Sequence, residues 1–119
     1  METIDEPTLR KFLDEICGGE MEILEDLAEE CAKDSENLIR EIRVAHQAKD
    51  APLLKRSAHS LKSTSATFGG HTLSKHAKHL EEISGDQRTI DANADQVKEL
   101  IENIESEGEG FIAELSAIS

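Results

Sequence analysis

His59 stands in the run Lys55-Arg56-Ser57-Ala58-His59-Ser60-Leu61-Lys62-Ser63. On a helix, Lys55, Arg56, Lys62 and Ser63 lie four and three residues before it and three and four after it, and share its face. Cations beside an imidazole disfavour the imidazolium and favour a neutral, nucleophilic ring near pH 7. The same cations can bind the oxygens of an incoming phosphoryl group. The apolar line of this stretch, Leu54, Ala58, Leu61, Ser65 and Phe68, falls on the opposite side, so His59 is expected in solvent. A lone histidine on a polar helical face is more often simply solvated, and the surrounding cations are what argue for chemistry here.

The charge map widens that argument. From Ala51 to Leu80 there is no Asp or Glu, while Lys55, Arg56, Lys62, Lys75 and Lys78 give +5, and the remaining 8 basic and 26 acidic side chains leave −18 elsewhere. A positive segment on an acidic body suggests a docking surface for an anionic group or an acidic partner. Pairing of these cations with neighbouring acidic helices is the plainer alternative. Four of the five histidines lie in the same window, and His71, His76 and His79 raise a metal-binding alternative. There is no HExxH, no cysteine ligand cluster and no Glu-x-x-His pair, and the local cations would repel a metal ion. Nor is there a glycine-rich phosphate loop or a nucleophile elbow.

Composition sets the frame. The 119 residues suit one domain spanning 1–119, and the core must be aliphatic because aromatics make up only 3%. Helix formers dominate and β-branched runs are absent, which predicts an all-α fold. A formal charge of −13 argues against a nucleic-acid partner and disfavours anionic membrane surfaces. No apolar run is long enough for a membrane span, and the first residues lack a basic signal-peptide start, so a cytoplasmic location is expected. Cys17 and Cys31, with no CxxC spacing, are expected as two reduced, buried thiols.

The elements that would carry His59 are punctuated by glycine and proline. A short helix is predicted from about Pro7 to Cys17, with Leu9, Phe12, Leu13 and Ile16 on one side. The next runs from about Glu20 to Lys49 on a stripe of Leu24, Leu27, Ala28, Cys31, Leu38, Ile42 and Ala45, interrupted by Ser35. Asp50 is a plausible N-cap for the His59 helix, which runs to about Phe68. Gly69-Gly70 folds a further helix, about His71 to Ser84, back on it as an antiparallel hairpin through Leu73, Ala77, Leu80 and Ile83. Ile90, Val97, Ile104, Phe111 and Ile118 recur every seven residues, with Ala94, Ile101, Gly108 and Leu115 between them, which predicts one last long helix. Gly108 and Gly110 permit local fraying in it. The expected architecture is an up-down four-helix bundle with a short additional N-terminal helix.

The segment Ala58-His59-Ser60-Leu61-Lys62-Ser63-Thr64-Ser65-Ala66-Thr67-Phe68-Gly69 resembles the active-histidine helix of histidine phosphotransfer domains. That motif has an aliphatic residue two after the histidine, Lys three after, small residues next and Gly ten after. On the facing helix, Lys78-His79-Leu80-Glu81 resembles the matching helix of the chemotaxis-kinase phosphotransfer domain. The resemblance implies a phosphorelay intermediate that takes a phosphoryl group on His59 Nε2 from one receiver-domain aspartate and passes it to another. It implies that Lys62 stabilises the phosphoryl charge and that Glu81 accepts from Nδ1–H and fixes the tautomer. Lys55, Arg56, Ser63, Gly69 and Lys78 would serve docking of receiver domains of response regulators or hybrid kinases. No nucleotide, metal or other cofactor is implied for this chain, since the receiver supplies aspartate and Mg²⁺, and a monomer is expected. Ser63 departs from the family's usual Gly, and its hydroxyl either bonds to the phosphoryl group or hinders approach. A bundle that binds partners without being phosphorylated is the alternative, against which the retained His59–Lys62 pair argues.

Overall fold

Three aspartates open helices by accepting from a backbone N–H three residues on: Asp5 from Thr8 (3.2 Å), Asp50 from Leu53 (3.2 Å) and Asp86 from Thr89 (2.8 Å). Each satisfies one of the donors that a helix start leaves unpaired. The structure, a computed structural model, describes residues 1–118. Within them lie α1 (Glu6–Glu15), α2 (Met21–Gln47), α3 (Ala51–Thr67), α4 (His71–Ile83), α5 (Gln87–Ala92) and α6 (Ala94–Ile118). The fold is all-helical, as expected, and the four longest helices α2, α3, α4 and α6 form the bundle. Helix α3 packs against α2 on one side and α4 on the other, and α6 closes the ring between α2 and α4. No helix among the described residues is long and apolar enough to cross a membrane.

The turns on either side of α3 decide how it is held. At its end, Gly69 N–H donates to Ala66 O (3.1 Å) and Gly70 N–H to Ser65 O (2.8 Å), the paired bonds of a Schellman stop. Gly69 has φ +80°, and a Cβ there would lie 2.9 Å from the Asp5 carbonyl oxygen. A Cβ on Gly70 would lie 2.7 Å from the buried Phe111 ring. At the end of α2, Lys49 takes the same left-handed position at φ +55°, with Asp50 N–H donating to Ala45 O (2.9 Å).

The core is aliphatic around two aromatics, Phe68 and Phe111. Leu54, Ala58, Leu61, Leu73, Ala77, Leu80, Ile101, Ile104, Phe111 and Leu115 are buried, which confirms the inward lines expected for α3, α4 and α6. Each large side chain so buried stabilises the fold by roughly 1.5–3 kcal/mol relative to exposure. Phe12 of α1 meets Phe68, the C-cap of α3, with ring centroids 4.7 Å apart, which ties the short first helix to the hairpin end of the bundle. The N-terminal strap lies there too: Ile4 is buried, Glu114 accepts from the Thr3 and Ile4 N–H groups, and Asp5 N–H donates to Gly69 O (2.9 Å). Cys17 and Cys31 are both buried and unbridged.

Several expectations need correction. Ile16 is 66% exposed, because α1 ends at Glu15 and the chain turns so that Cys17 goes inside instead. The last element is two helices, interrupted at Asn93: Ile90 of α5 and Val97 of α6 keep the seven-residue spacing and are both buried, but Ala94 is exposed as the first residue of α6, beside the break. Gly108 does not fray α6. It is buried where α6 crosses α2, and Ile39 Cδ1 fills the space that a Cβ would need.

Gly69→Ala forces a left-handed backbone on a residue with a Cβ and drives that atom into Asp5. The expected cost is about 1–3 kcal/mol. Urea unfolding measures it as a lower midpoint at unchanged slope, and a midpoint equal to the wild type contradicts this account of the turn.

Candidate functional site

The site is built by the hairpin. Because α3 and α4 reverse at Gly69-Gly70, a residue ten before Gly69 and one eleven after Gly70 come to the same level. Those residues are His59 and Glu81. His59 projects from the outer face of α3 with its side chain 60% exposed, whereas Glu81 is largely covered in the α3–α4 groove at 16%. Behind His59, Ala58 and Leu61 anchor the helix in the core, so exposure of the ring costs no packing.

The Glu81 carboxylate bridges two residues of α3. One oxygen, Oε2, contacts His59 Nδ1, and the other, Oε1, accepts from Lys62 Nζ at 2.7 Å. The Lys62 hydrogen bond, and after it that of His59, hold the Glu81 carboxyl below its ordinary range against the opposing effect of burial. An anion held on Nδ1 selects the ring form that carries its proton there, which leaves Nε2 as the lone-pair nitrogen.

The sequence-predicted residues are not all gathered here. Lys55 and Arg56 are exposed one turn before His59, and their side chains make no ion pair or hydrogen bond among the described residues. Together with Pro52, His59, Glu81 and Gly85 they line a shallow open depression of ≈ 460 Å³. Ser63 is exposed one turn after His59, and its side chain has no hydrogen-bond partner among the described residues. Lys78 is exposed on α4, one turn before Glu81. Lys62, expected to stabilise the phosphoryl charge, has its ammonium bound to Glu81 and its side chain only 28% exposed. Gly69 is a correction. It is buried under Asp5, about 15 Å along α3 from His59, and serves the turn rather than a docking face.

Two lining residues escaped the sequence reading. Pro52 sits on the same stripe as Lys55, Arg56 and His59, seven residues before the histidine, and that spacing could have found it. Gly85 comes from the loop after α4, and no local pattern signals its position. Two of the remaining hairpin histidines have separate partners: His71 Nε2 lies 3.1 Å from Thr8 Oγ1, and His79 Nε2 lies 3.1 Å from Gln96 Nε2. Among the described residues, no three His, Cys, Asp or Glu side chains are placed to hold a metal ion.

Comparison with known proteins gives a consistent picture. The family model of the Hpt domain matches residues 22–107. Among solved structures, the crystal structure of histidine-containing phosphotransfer protein B (HptB) from Pseudomonas aeruginosa PAO1 is similar to this one. It covers 97% of this chain and 92% of that one, with 30% sequence identity and a TM-score of 0.77. The curated proteins contain no significant match.

The bridge makes Glu81 a reporter of its own geometry. Its folded pKa lies below the ordinary 4.5, so the stability it contributes is complete above about that pH and is lost as pH falls through the lower folded value. A carboxyl ¹³C titration should place its midpoint below 4.5, and Lys62→Met should raise that midpoint. A midpoint indifferent to Lys62 contradicts the bridge.

Proposed function

This chain belongs to the Hpt domain family, the phosphotransfer intermediates of two-component signalling, and from that premise we propose that His59 is the side chain that carries the phosphoryl group. One observation supports this reading above the others: His59 is the histidine whose Nδ1 is engaged by a sheltered carboxylate while the rest of its ring faces solvent. In the proposed reaction the Nε2 lone pair attacks the phosphorus of a receiver-domain aspartyl phosphate. The Nε2–P bond forms as the P–O bond to the aspartate breaks, and the carboxylate leaves with its electron pair. The ring keeps its Nδ1 proton and takes up the positive charge against Glu81. The reverse sequence delivers the group to a second receiver.

Within this reading Glu81 holds the tautomer, and Lys62 keeps Glu81 ionised and in place. The chain performs no catalysis of its own, because the partner supplies Mg²⁺ and most of the electrostatic stabilisation of the transferring group. Hpt proteins work with receiver domains, and the net-positive stretch 51–80 suits the acidic pocket such a partner presents. The reading extends to a monomer that meets these partners in the cytoplasm.

His59→Gln should retain the helical circular-dichroism spectrum and lose phosphoryl acceptance, since an exposed side chain contributes little packing. Label retained in that variant moves the site to His71, His76 or His79. Glu81→Ala should slow transfer less than His59→Gln, because a free ring still samples the reactive tautomer, and Glu81→Gln should restore most of the loss. If Glu81 serves only as a surface ion-pair partner, neither Glu81 substitution changes the transfer rate or the His59 tautomer balance seen by NMR.

A further inference from the structure

The bridge leaves a charge problem that the depression beside His59 answers. A phosphoryl group on Nε2 is dianionic, and Glu81 places a carboxylate on the other nitrogen of the same ring. Lys62 offsets that carboxylate, at 2.7 Å, so its charge is engaged before any phosphoryl group arrives. Once the partner and its Mg²⁺ depart, the group left on His59 has only this chain's cations other than Lys62 to hold it. Lys55 and Arg56 are the basic side chains that line the depression with His59, and Lys62 and Lys78 do not line it. Among the described residues, neither Lys55 nor Arg56 has an ion-pair or hydrogen-bond partner to give up. On a helix, positions three and four residues before His59 put both side chains within one turn of the ring. A guanidinium can further present two parallel N–H donors to phosphoryl oxygens, which a lone ammonium cannot.

We infer that Arg56 and Lys55 form the phosphoryl seat of His59, holding the oxygens of the transferred group in the depression bounded by Pro52 and Gly85, whereas Lys62 acts only through Glu81. The inference rests on the assignment of His59 as the phosphoryl carrier, and it narrows the ring of cations around the histidine to two residues that act as direct ligands of the transferred group and not in docking alone. The division of labour is electrostatic. Each of the two anions that meet at the imidazole, carboxylate and phosphoryl, has its own cations on α3, one turn after and one turn before the histidine.

Potassium phosphoramidate separates a seat from a docking surface, because this small donor has no protein face to steer. Its protonated nitrogen leaves as ammonia when the P–N bond breaks and the Nε2–P bond forms. The wild type, the double variant Lys55→Gln/Arg56→Gln, Lys62→Met and His59→Gln are compared by ³¹P NMR, with ¹⁵N NMR of the His59 ring as the second readout. The double variant should be labelled at least tenfold more slowly and lose its label sooner, with the ring's ¹⁵N tautomer signature unchanged. Lys62→Met should move that signature. Labelling of the double variant at the wild-type rate overturns the seat, whether or not transfer from a phosphorylated receiver domain is impaired. Slow labelling of Lys62→Met with an unmoved tautomer signature also overturns it, by returning the oxygens to Lys62. A wild type that takes no label, or a His59→Gln variant that does, instead removes the assignment of His59 itself and the seat with it.

Discussion

Glu81 holds a position that few surface carboxylates occupy: it is mostly covered, ionised, and shared between a lysine and a histidine of the helix opposite. Burying part of a carboxylate is unfavourable unless its lone pairs find donors. Lys62 and His59 supply those donors from consecutive turns of α3, so the bridge forms only if α3 and α4 are antiparallel, close together and in one register. The tight turn at Gly69-Gly70 enforces all three conditions. Its left-handed Gly69 and the Phe111 ring packed against Gly70 leave no slack between the helices, and the strap at Asp5 covers the turn from outside.

The composition of α3 follows from two opposed demands. Its inner face must be packed tightly enough to fix the ring's origin, and its outer face must leave the ring open to a second protein. Ala58, Ser57 and Ser65 meet the first demand by keeping the interhelical spaces small, with the Ser57 hydroxyl donating to Glu41 at 2.6 Å and the Ser65 hydroxyl to Leu61 O at 2.6 Å. Buried hydroxyls so satisfied add little penalty and allow closer helix approach than larger apolar side chains. Ser63, exposed one turn after His59, keeps the outer face low on that side.

Electrostatics separates the hairpin from the body that carries it. The acidic remainder of the chain is largely solvated surface, and Arg43 of α2 answers part of it through its contact with Glu105 of α6. Within the hairpin the cations have distinct fates. Lys62 is neutralised locally, and Lys55 and Arg56 remain available beside the ring. A map of charge along the chain cannot distinguish them, because the difference lies in what the neighbouring helix places opposite each one.

The sequence by itself determined the helical class, the inward faces of α3 and α4, the hairpin and the outward position of His59. Each of these is a local consequence of periodicity, capping and glycine placement, and local rules are written in consecutive residues. Ala94 and Ile16 mark where those rules ran out: the heptad continues in the sequence across Asn93, yet the chain breaks there into α5, which Asp86 caps at its start, and α6. What only the tertiary structure decided is which charges meet. The engagement of Lys62 by Glu81, the burial of Gly69 under Asp5 and the arrival of Gly85 beside Pro52 all join residues from different elements. Their proximity is set by helix packing and register, and a one-turn change in either would pair other side chains while leaving every local pattern intact.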